Sequence, residues 1–303
     1  MEPLPVSAVV VNLDGGDLLF EALDALGREG PEEIIVVDNG SGPEEISRLA
    51  AKSGLNLIRL AENRGFAGPA NLGARAARTP FLAFVNNDCV LEGGYLCACL
   101  SALSANLALA AVQGAVLAAD GLSVDGWGVG WSARAEAVQL GHGEVPPPPS
   151  GPLLSVPGIS ATAALFRRDV FLAAGGFAES FFAWYEDVDL SLRLRRAGAR
   201  FACVPGARAR HAGTATGRRR PVERWSRLFA NRLRTLRRNF DPAALPARLL
   251  IPAAGASLGP AAEELGWPRA LAVALGARHA AHPYREEDRA VLAALPPLRE
   301  LPA

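Results

Sequence analysis

The N-terminal part of the chain alternates short apolar runs with amphipathic segments. Apolar runs rich in β-branched residues at 6–11, 33–37 and 56–60 predict strands, and the segments at about 17–28 and 43–53 have the periodicity of helices. This alternation predicts a parallel sheet with right-handed crossover connections. The chain is therefore expected to fold as an α/β protein.

The stretch 81–90 is the centre of this pattern. Phe81–Val85 is a continuous apolar run that predicts a buried interior strand, and it ends abruptly at Asn86, Asn87 and Asp88. Ligands of open α/β sheets bind outside the carboxyl ends of the strands, so Asp88 lies where a metal or a phosphate is expected. A turn former or a helix cap is the alternative interpretation of this aspartate.

An uncharged run extends from Gly93 to Ala119. It is long enough to span a membrane, but its Gly, Ser, Asn and Gln residues divide it better into a helix at about 93–104 and a strand at about 109–117. Residues 120–150 contain two tryptophans and four consecutive prolines, and they predict a hairpin or a long loop.

The second half of the chain has weaker patterns. Strands are predicted at about 161–166 and 200–204, and a helix is predicted from Asp187 to Gly198, which is the expected C-terminal cap. Beyond Pro221 the sequence is rich in Ala and Leu, and it predicts helices that prolines interrupt.

Composition narrows the functional classes. The 303 residues are 50% hydrophobic and can bury one sizeable core plus an appendage. The 31 Lys and Arg residues balance the 31 Asp and Glu residues, so the formal net charge is zero and gives no overall electrostatic attraction to nucleic acid. No signal peptide is visible, and the cysteines form no CxxC pair, which predicts a cytoplasmic protein with buried, reduced thiols. These cysteines are Cys89, Cys97, Cys99 and Cys203.

Polar groups at the predicted strand ends suggest a nucleotide site with a divalent metal. Asn86 and Asp88 offer oxygen ligands, which suit Mg²⁺ or Mn²⁺ holding a diphosphate. Asp38 ends another strand at the same edge of the sheet, where an acid can bind a ribose hydroxyl or form an Asx turn. His211 follows the last predicted strand and is either a further metal ligand or a structural histidine.

Glu186 and Asp187 begin a predicted helix behind the aromatic cluster 181–185. Adjacent acids at a helix start commonly serve as caps that the helix dipole favours. In a partly desolvated pocket, a raised carboxylate pKa would instead suit a general base. Trp127 and Trp131 are candidates for stacking on a sugar or for packing inside the hairpin.

In this order and spacing, the motifs resemble the inverting GT-A glycosyltransferases of family 2, and within them the bacterial rhamnosyltransferase-like branch. The resemblance extends from about residue 6 to residue 211. Its main segments are VVVNLDG at 9–15, IIVVDNGS at 34–41, NRGFA at 63–67, NND at 86–88 and YEDVDL at 185–190. Leu13 and Asp14 replace the family's usual Tyr and Asn, which alters the predicted nucleoside pocket.

The resemblance implies a fold and a set of site residues. The fold is GT-A, a Rossmann-like α/β fold whose central sheet is mostly parallel and flanked by helices. The catalytic domain is expected at 1–215, with a nucleotide-binding half at 1–118 and an acceptor half at 119–215, and a helical C-terminal extension at 216–303. The implied roles are donor binding by Asn12, Asp14, Asp38, Asn63, Arg64, Asn71, Asn86 and Asn87, metal binding by Asp88 and His211, base catalysis by Asp187 supported by Glu186, and acceptor binding by Trp184 and Tyr185.

The implied activity is the transfer of a sugar from a nucleotide diphosphate donor to an acceptor hydroxyl with inversion. The donor is a UDP- or dTDP-sugar, with dTDP-rhamnose as one candidate, and the acceptor is a saccharide or lipid-linked saccharide in cell-surface polysaccharide or glycolipid synthesis. A sugar nucleotidyltransferase and a non-catalytic nucleotide-sugar-binding protein are the alternatives, and a homo-oligomer stays open. An NAD enzyme would need a GxGxxG loop, which is missing after the first strand.

The stretch 218–238 is crowded with arginine and contains a single acid, Glu223. It predicts a helix with one basic face and one apolar face, the latter formed by Trp225, Leu228, Phe229, Leu233 and Leu236. Such a helix can lie on the anionic inner face of a membrane. Alternatively, its apolar face packs on the catalytic domain and the arginines are solvated.

Overall fold

The computed structural model describes residues 2–131, 137–213 and 221–239. The strands are β1 (Leu4–Asn12), β2 (Pro31–Asp38), β3 (Leu55–Arg59), β4 (Phe81–Val85), β5 (Cys89–Leu91), β6 (Leu109–Ala118), β7 (Val124–Gly126), β8 (Val129–Trp131), β9 (Ala137–Gln139), β10 (Leu154–Val156), β11 (Ala163–Arg167) and β12 (Arg200–His211). The helices are α1 (Gly16–Arg28), α2 (Pro43–Ala51), α3 (Ala67–Ala76), α4 (Tyr95–Ala105), α5 (Arg168–Ala173), α6 (Glu186–Arg196) and α7 (Pro221–Asn239), with a 3₁₀ turn at Glu179–Phe181.

One sheet of ten strands forms the centre of the fold. Its main path is β10-β12-β6-β11-β4-β1-β2-β3, while β5 pairs with β12 and β7 pairs with β6. β3, β2, β1 and β4 are mutually parallel, as the βαβαβ pattern predicts. β11 is antiparallel to both β4 and β6. Because β6 lies between β11 and β12, the two predicted halves of the catalytic domain share this sheet.

Helices cover both faces of the sheet. Successive side chains of a strand point to opposite faces, so Val10 packs with one apolar cluster and Val9 with the other. The first cluster includes Leu23 of α1 and Leu96 of α4, and the second includes Phe171 of α5. The second also holds four aromatic rings in mutual edge or tilted contact: Phe84, Phe166, Phe171 and Phe177.

The uncharged run forms α4 and β6, which confirms its division into a helix and a strand. Among the helices of the described residues, none is long and apolar enough to cross a membrane. Burial is confirmed for Cys89, Cys99 and Cys203, but the prediction is wrong for Cys97, which lies on the exposed side of α4. β5 and β10 were not predicted, because three residues are too few to show a strand pattern.

α7 confirms the helix predicted beyond Pro221, and it packs against α6. Its buried face differs from the predicted one. Phe229 and Leu236 are buried, whereas Leu228 and Leu233 are only partly so. Polar residues complete the buried face: Ser226, Asn231, Arg232, Thr235, Arg238 and Asn239. The side chain of Trp225 and the predicted helices beyond Asn239 lie outside the described parts of the chain.

Candidate active site

Asn12 connects three of the strand ends at the carboxyl edge of the sheet. It ends β1 beside Asp38 of β2 and is completely buried. Its Nδ2 donates to Asp38 Oδ1 at 3.3 Å, to Ser41 Oγ at 3.2 Å and to Glu45 Oε1. Its Oδ1 accepts a hydrogen bond of 2.9 Å from Asn87, which follows β4. The polar residues predicted at separate strand ends are therefore brought together.

Glu45 of α2 closes the turn after β1. Its carboxylate accepts hydrogen bonds from the backbone N–H groups of Gly15 at 2.9 Å and Gly16 at 2.6 Å. Asp14 adopts a positive φ of 46°, and its Oδ1 accepts a bond of 2.9 Å from Gly42 N. Sequence reasoning missed Glu45, because an acid in the first turn of a helix is usually solvated.

Asp38 is buried and forms the Asx turn that was one of its two interpretations. Its Oδ2 accepts hydrogen bonds from Gly40 N at 3.3 Å and Ser41 N at 3.2 Å. The turn shapes the edge where a nucleoside is expected to bind. Contact between Asp38 and a nucleotide stays a prediction.

Asn39 organises the segment predicted to lie beside the diphosphate. Its Nδ2 donates to Asn63 Oδ1 at 3.0 Å and to Gly65 O at 2.6 Å, and its Oδ1 accepts a bond of 2.8 Å from Arg64 N. The Arg64 side chain is 61% exposed, 3.8 Å from Glu62. Asn63 thus supports the loop, while the guanidinium of Arg64 remains accessible to a ligand.

The first N–H groups of α3 bind the protein's own backbone. Phe182 O accepts hydrogen bonds from Phe66 N at 2.6 Å and Ala67 N at 3.1 Å. Gly65 permits this approach, because a Cβ at that position would lie 2.2 Å from Phe182 O, and its φ is +76°. The segment before Glu186 is thereby attached to the loop 63–65.

Asn71 of α3 fixes the chain after α5. Its Nδ2 donates to Phe177 O at 2.7 Å, its Oδ1 accepts from Phe177 N at 2.9 Å, and the residue is 4% exposed. Both the nitrogen and the oxygen of its amide are hydrogen-bonded to the backbone of Phe177. The structure therefore places Asn71 as a buried link between α3 and the acceptor half.

Asp88 and His211 meet at the pairing of β5 with β12. His211 lies opposite Cys89 in this pairing, and its Nε2 is 3.1 Å from Asp88 Oδ1. Its Nδ1 is 2.8 Å from Asp125 Oδ2 on β7. Sequence reasoning missed Asp125, which lies in the segment 120–150, where no periodicity marks it.

The residues around His211 include two groups whose chemistry suits a divalent metal. No cluster of three or more His, Cys, Asp or Glu side chains forms a ready metal site among the residues described. Asp88 and His211 supply one carboxylate oxygen and one imidazole nitrogen, a donor pair that suits Mn²⁺. Burial lowers the pKa of His211, but hydrogen bonds and charge from Asp125 and Asp88 outweigh it and raise the pKa to about 9.

Glu186 and Asp187 begin α6, as predicted; Glu186 is buried and Asp187 is partly buried. Burial raises the pKa of Asp187, although donors from Val188 N at 2.8 Å and Ala161 N at 3.3 Å oppose that shift. Burial and the charge of Asp187 raise the pKa of Glu186 further, and its Oε2 has no hydrogen-bond partner. The backbone hydrogen bonds to its carboxylate favour Asp187 over Glu186 as the charged member of the pair.

The short segment 160–162 connects Asn86 with Asp187. Asn86 N donates to Thr162 O at 2.9 Å, and the neighbouring Ala161 N donates to Asp187. β4 and β11 pair just beyond these contacts, with Val85 opposite Ala163. Asn86 and the carboxylate of Asp187 thus contact one stretch of backbone.

The hairpin β8–β9 packs against the aromatic cluster. The rings of Trp131 and Tyr185 lie 6.3 Å apart, and the hydroxyl of Tyr185 is 3.3 Å from Ala137 N. Trp127 instead packs against the main core. Trp184 is partly exposed in the same segment as Tyr185. Acceptor binding by Trp184 and Tyr185 stays a prediction, and the hairpin lies where it would border that pocket.

The fold and the arrangement at its carboxyl edge define a class of protein. The sequence model described as "Glycosyl transferase family 2" matches residues 7–173, more than half of the chain. The chain therefore belongs to glycosyl transferase family 2. Asp187 and His211 lie beyond the matched range.

Two curated proteins are similar in sequence. The pre-mycofactocin glycosyltransferase of Mycobacterium tuberculosis is 29% identical over 187 residues, which cover 59% of this chain and 37% of that protein. The O-antigen biosynthesis protein RfbC of Myxococcus xanthus is 30% identical over 225 residues, covering 70% of this chain and 18% of that one. The chain thus spans just over a third of the first relative and under a fifth of the second.

Solved structures share the fold. GalNAc-T7, crystallised with UDP, GalNAc and Mn²⁺, has a TM-score of 0.62 at 16% identity, over 78% of this chain and 48% of that one. The mannosyltransferase PcManGT from Pyrobaculum calidifontis, in complex with GDP-Man and Mn²⁺, has a TM-score of 0.53 at 21% identity, over 97% and 88% of the two chains. The GT-A fold predicted from sequence is confirmed.

Proposed function

We propose that this protein is an inverting glycosyltransferase that moves a sugar from a UDP- or dTDP-sugar, with dTDP-rhamnose as one candidate donor, to an acceptor hydroxyl in polysaccharide or glycolipid synthesis. The observation that carries the proposal is the placement of a partly buried carboxylate, Asp187, beside the backbone stretch that also contacts Asn86 of the Asn86–Asp88 motif. Membership of the family and the names of its relatives support this activity.

Asp88 and His211 would hold a divalent metal, Mg²⁺ or Mn²⁺, in this scheme. Their separation of 3.1 Å brings two donors of suitable chemistry to one point, and the donor diphosphate would supply further oxygen ligands. The metal, when bound, would neutralise the charge that develops on the leaving diphosphate. The solved neighbours named with Mn²⁺ support a divalent ion.

Asp187 is the proposed general base. It would accept the proton of the acceptor hydroxyl as that oxygen attacks the anomeric carbon from the side opposite the diphosphate, which inverts the configuration. The N–H groups of Val188 and Ala161 hold its carboxylate in place. Burial raises the pKa of Glu186 and favours its neutral form, so Asp187 would carry the charge of the pair.

The remaining proposed contacts surround these two groups. Donor binding is assigned to the edge that Asn12 and Asn87 shape, with Asp14, Asp38, Asn63, Arg64, Asn71 and Asn86 bordering or supporting it. Peripheral contact of 218–238 with an anionic membrane, and hence action at the inner face of the membrane, stay predictions. Arg232 and Arg238 are buried, so other arginines would have to make that contact.

Asp125 is expected to strengthen metal binding through His211. Its carboxylate fixes Nδ1 of the imidazole and so directs Nε2 towards Asp88. Loss of such an outer partner typically weakens metal affinity about 10- to 100-fold. Asp125→Ala should therefore reduce Mn²⁺ affinity in the presence of UDP by roughly that factor, as measured from the electron paramagnetic resonance signal of free Mn²⁺.

Asp120→Asn is the matched control, since Asp120 is an exposed carboxylate on the same segment. It should bind Mn²⁺ like the wild type. Equal Mn²⁺ affinity in Asp125→Ala and the wild type would show that Asp125 has no part in the metal site.

A thermal-shift panel tests the proposed function without knowledge of the acceptor. The hypothesis predicts that UDP or dTDP raises the unfolding midpoint much more with Mn²⁺ than without it. At a ligand concentration of 100 Kd the stabilisation is about 2.7 kcal/mol, or roughly 5–10 °C for a domain of this size. AMP with Mn²⁺ is the control, and no shift with any nucleoside diphosphate or nucleotide sugar would contradict the proposal.

A further inference from the structure

Three residues in front of Glu186 adopt a backbone conformation that side chains disfavour. Phe182, Trp184 and Tyr185 have φ values of +65°, +67° and +73°. Residues other than glycine adopt this conformation only where surrounding contacts impose it. The contacts of the segment 181–185 therefore determine how the chain enters α6 and where Asp187 points.

Asn231 of α7 contacts three carbonyl groups of this segment. Its Nδ2 lies 2.9 Å from Phe181 O and 2.8 Å from the oxygens of both Ala183 and Trp184. Asn231 is 2% exposed, and Arg234 donates a hydrogen bond to its Oδ1. This bond orients the amide so that its nitrogen, which has two N–H groups, faces the three acceptors.

The opposite side of the segment is attached to α3. Phe182 O accepts the bonds from Phe66 N and Ala67 N, and the guanidinium of Arg227 on α7 lies 4.0 Å from the centroid of the Phe182 ring. The segment is thus held between the diphosphate side of the predicted site and the C-terminal helix.

α7 also binds α6 one turn after the segment. Asp189 is completely buried and accepts hydrogen bonds from Arg238 Nε at 3.0 Å and Asn239 Nδ2 at 2.8 Å, in addition to Arg193 Nε at 2.9 Å. This second contact of α7 lies on the far side of Asp187 and is separate from the carbonyl groups of 181–184.

We propose that Asn231 is a positioning residue for the proposed base: its contacts with the carbonyls of residues 181, 183 and 184 hold the strained segment that directs Asp187 towards the acceptor. The proposal rests on the proposed function and extends it to the C-terminal helix. In this proposal the transfer reaction depends on α7, because Asn231 of α7 helps to position the base.

Asn231→Asp tests this inference in the full-length chain. The substitution keeps the size of the side chain and its contact with Arg234, but it places a carboxylate oxygen against three carbonyl oxygens. Misplacement of a reacting group by about 1 Å can cost on the order of a hundredfold in rate. We expect kcat to fall about 100-fold, UDP affinity with Mn²⁺ to change less than about threefold, and amide hydrogen exchange to accelerate in 181–187 only.

Asn239→Ala is the matched structural control, because it removes a contact of the same helix with α6 without touching 181–184. It should lower the unfolding midpoint as much as Asn231→Asp does, with a much smaller change in kcat. Parallel loss of kcat and midpoint in both variants, or wild-type kcat and exchange in Asn231→Asp, would overturn the inference. A wild-type chain without transfer activity would refute the proposed function, while the exchange rates would still decide whether Asn231 holds the segment.

Discussion

Asp187→Asn is expected to abolish transfer while leaving donor binding intact. The asparagine keeps the size of the side chain, and its single amide oxygen can still accept the short hydrogen bond from Val188 N, while the longer bond from Ala161 N to the other carboxylate oxygen is lost. It cannot accept the acceptor's proton. Loss of a positioned base typically costs about a hundredfold to ten-thousandfold in rate. UDP should continue to stabilise the variant in the presence of Mn²⁺, as measured by thermal shift.

Glu186→Gln is the matched control for this prediction. Burial and the charge of Asp187 raise the pKa of Glu186, which favours its protonated form, and glutamine mimics that form. The variant should retain most of the wild-type rate. An inactive Glu186→Gln beside an active Asp187→Asn would reverse the two roles.

The same assignment fixes the sign of the pH dependence. Burial raises the pKa of Asp187, and the base works only when it is deprotonated. The rate should therefore rise with pH through this raised pKa, with the acidic limb above the ordinary aspartate range near 3.9.

Asp88→Asn is expected to remove the dependence of donor binding on metal. The variant keeps the shape of the turn but replaces the carboxylate that faces His211 Nε2 at 3.1 Å with a neutral amide. The extra rise in unfolding midpoint that Mn²⁺ gives to UDP in the wild type should disappear in this variant.

The exposed Asp120→Asn serves as the control for this substitution, and it should keep the Mn²⁺-dependent rise. Transfer should stop in Asp88→Asn, and its unfolding midpoint without ligands should stay near that of the wild type. A full Mn²⁺-dependent rise in Asp88→Asn would remove Asp88 from the metal site.

The elements with strong hydrophobic patterns could be predicted from the sequence. Phe81–Val85 is observed with the same bounds, because an interior strand requires a continuous apolar run. The meeting of Asp88 with His211 followed from the resemblance to the family, since no local pattern shows that β5 pairs with β12.

Other parts of the site could not be predicted, for three physical reasons. Asp125 lies in a segment without periodicity, and Glu45 is a helix-start acid that turns inward to backbone amides. The role of Asn231 could not be predicted because α7 buries a largely polar face against the strained segment and α6. Amphipathicity predicts burial of apolar residues, and it gives no sign of a buried amide that binds carbonyls.

The release of nucleoside diphosphate tests the central claim most directly. UDP- and dTDP-sugars are incubated with Mn²⁺ and saccharide acceptors, using the wild type, Asp88→Asn and Asp187→Asn, and free nucleoside diphosphate is measured over time. We predict that the wild type releases nucleoside diphosphate in a metal-dependent way and that neither variant does. Of the two variants, Asp187→Asn should still bind the donor and Asp88→Asn should not. Release of nucleoside diphosphate by Asp187→Asn at the wild-type rate would contradict the account. So would a wild-type protein that binds the donor but releases no nucleoside diphosphate.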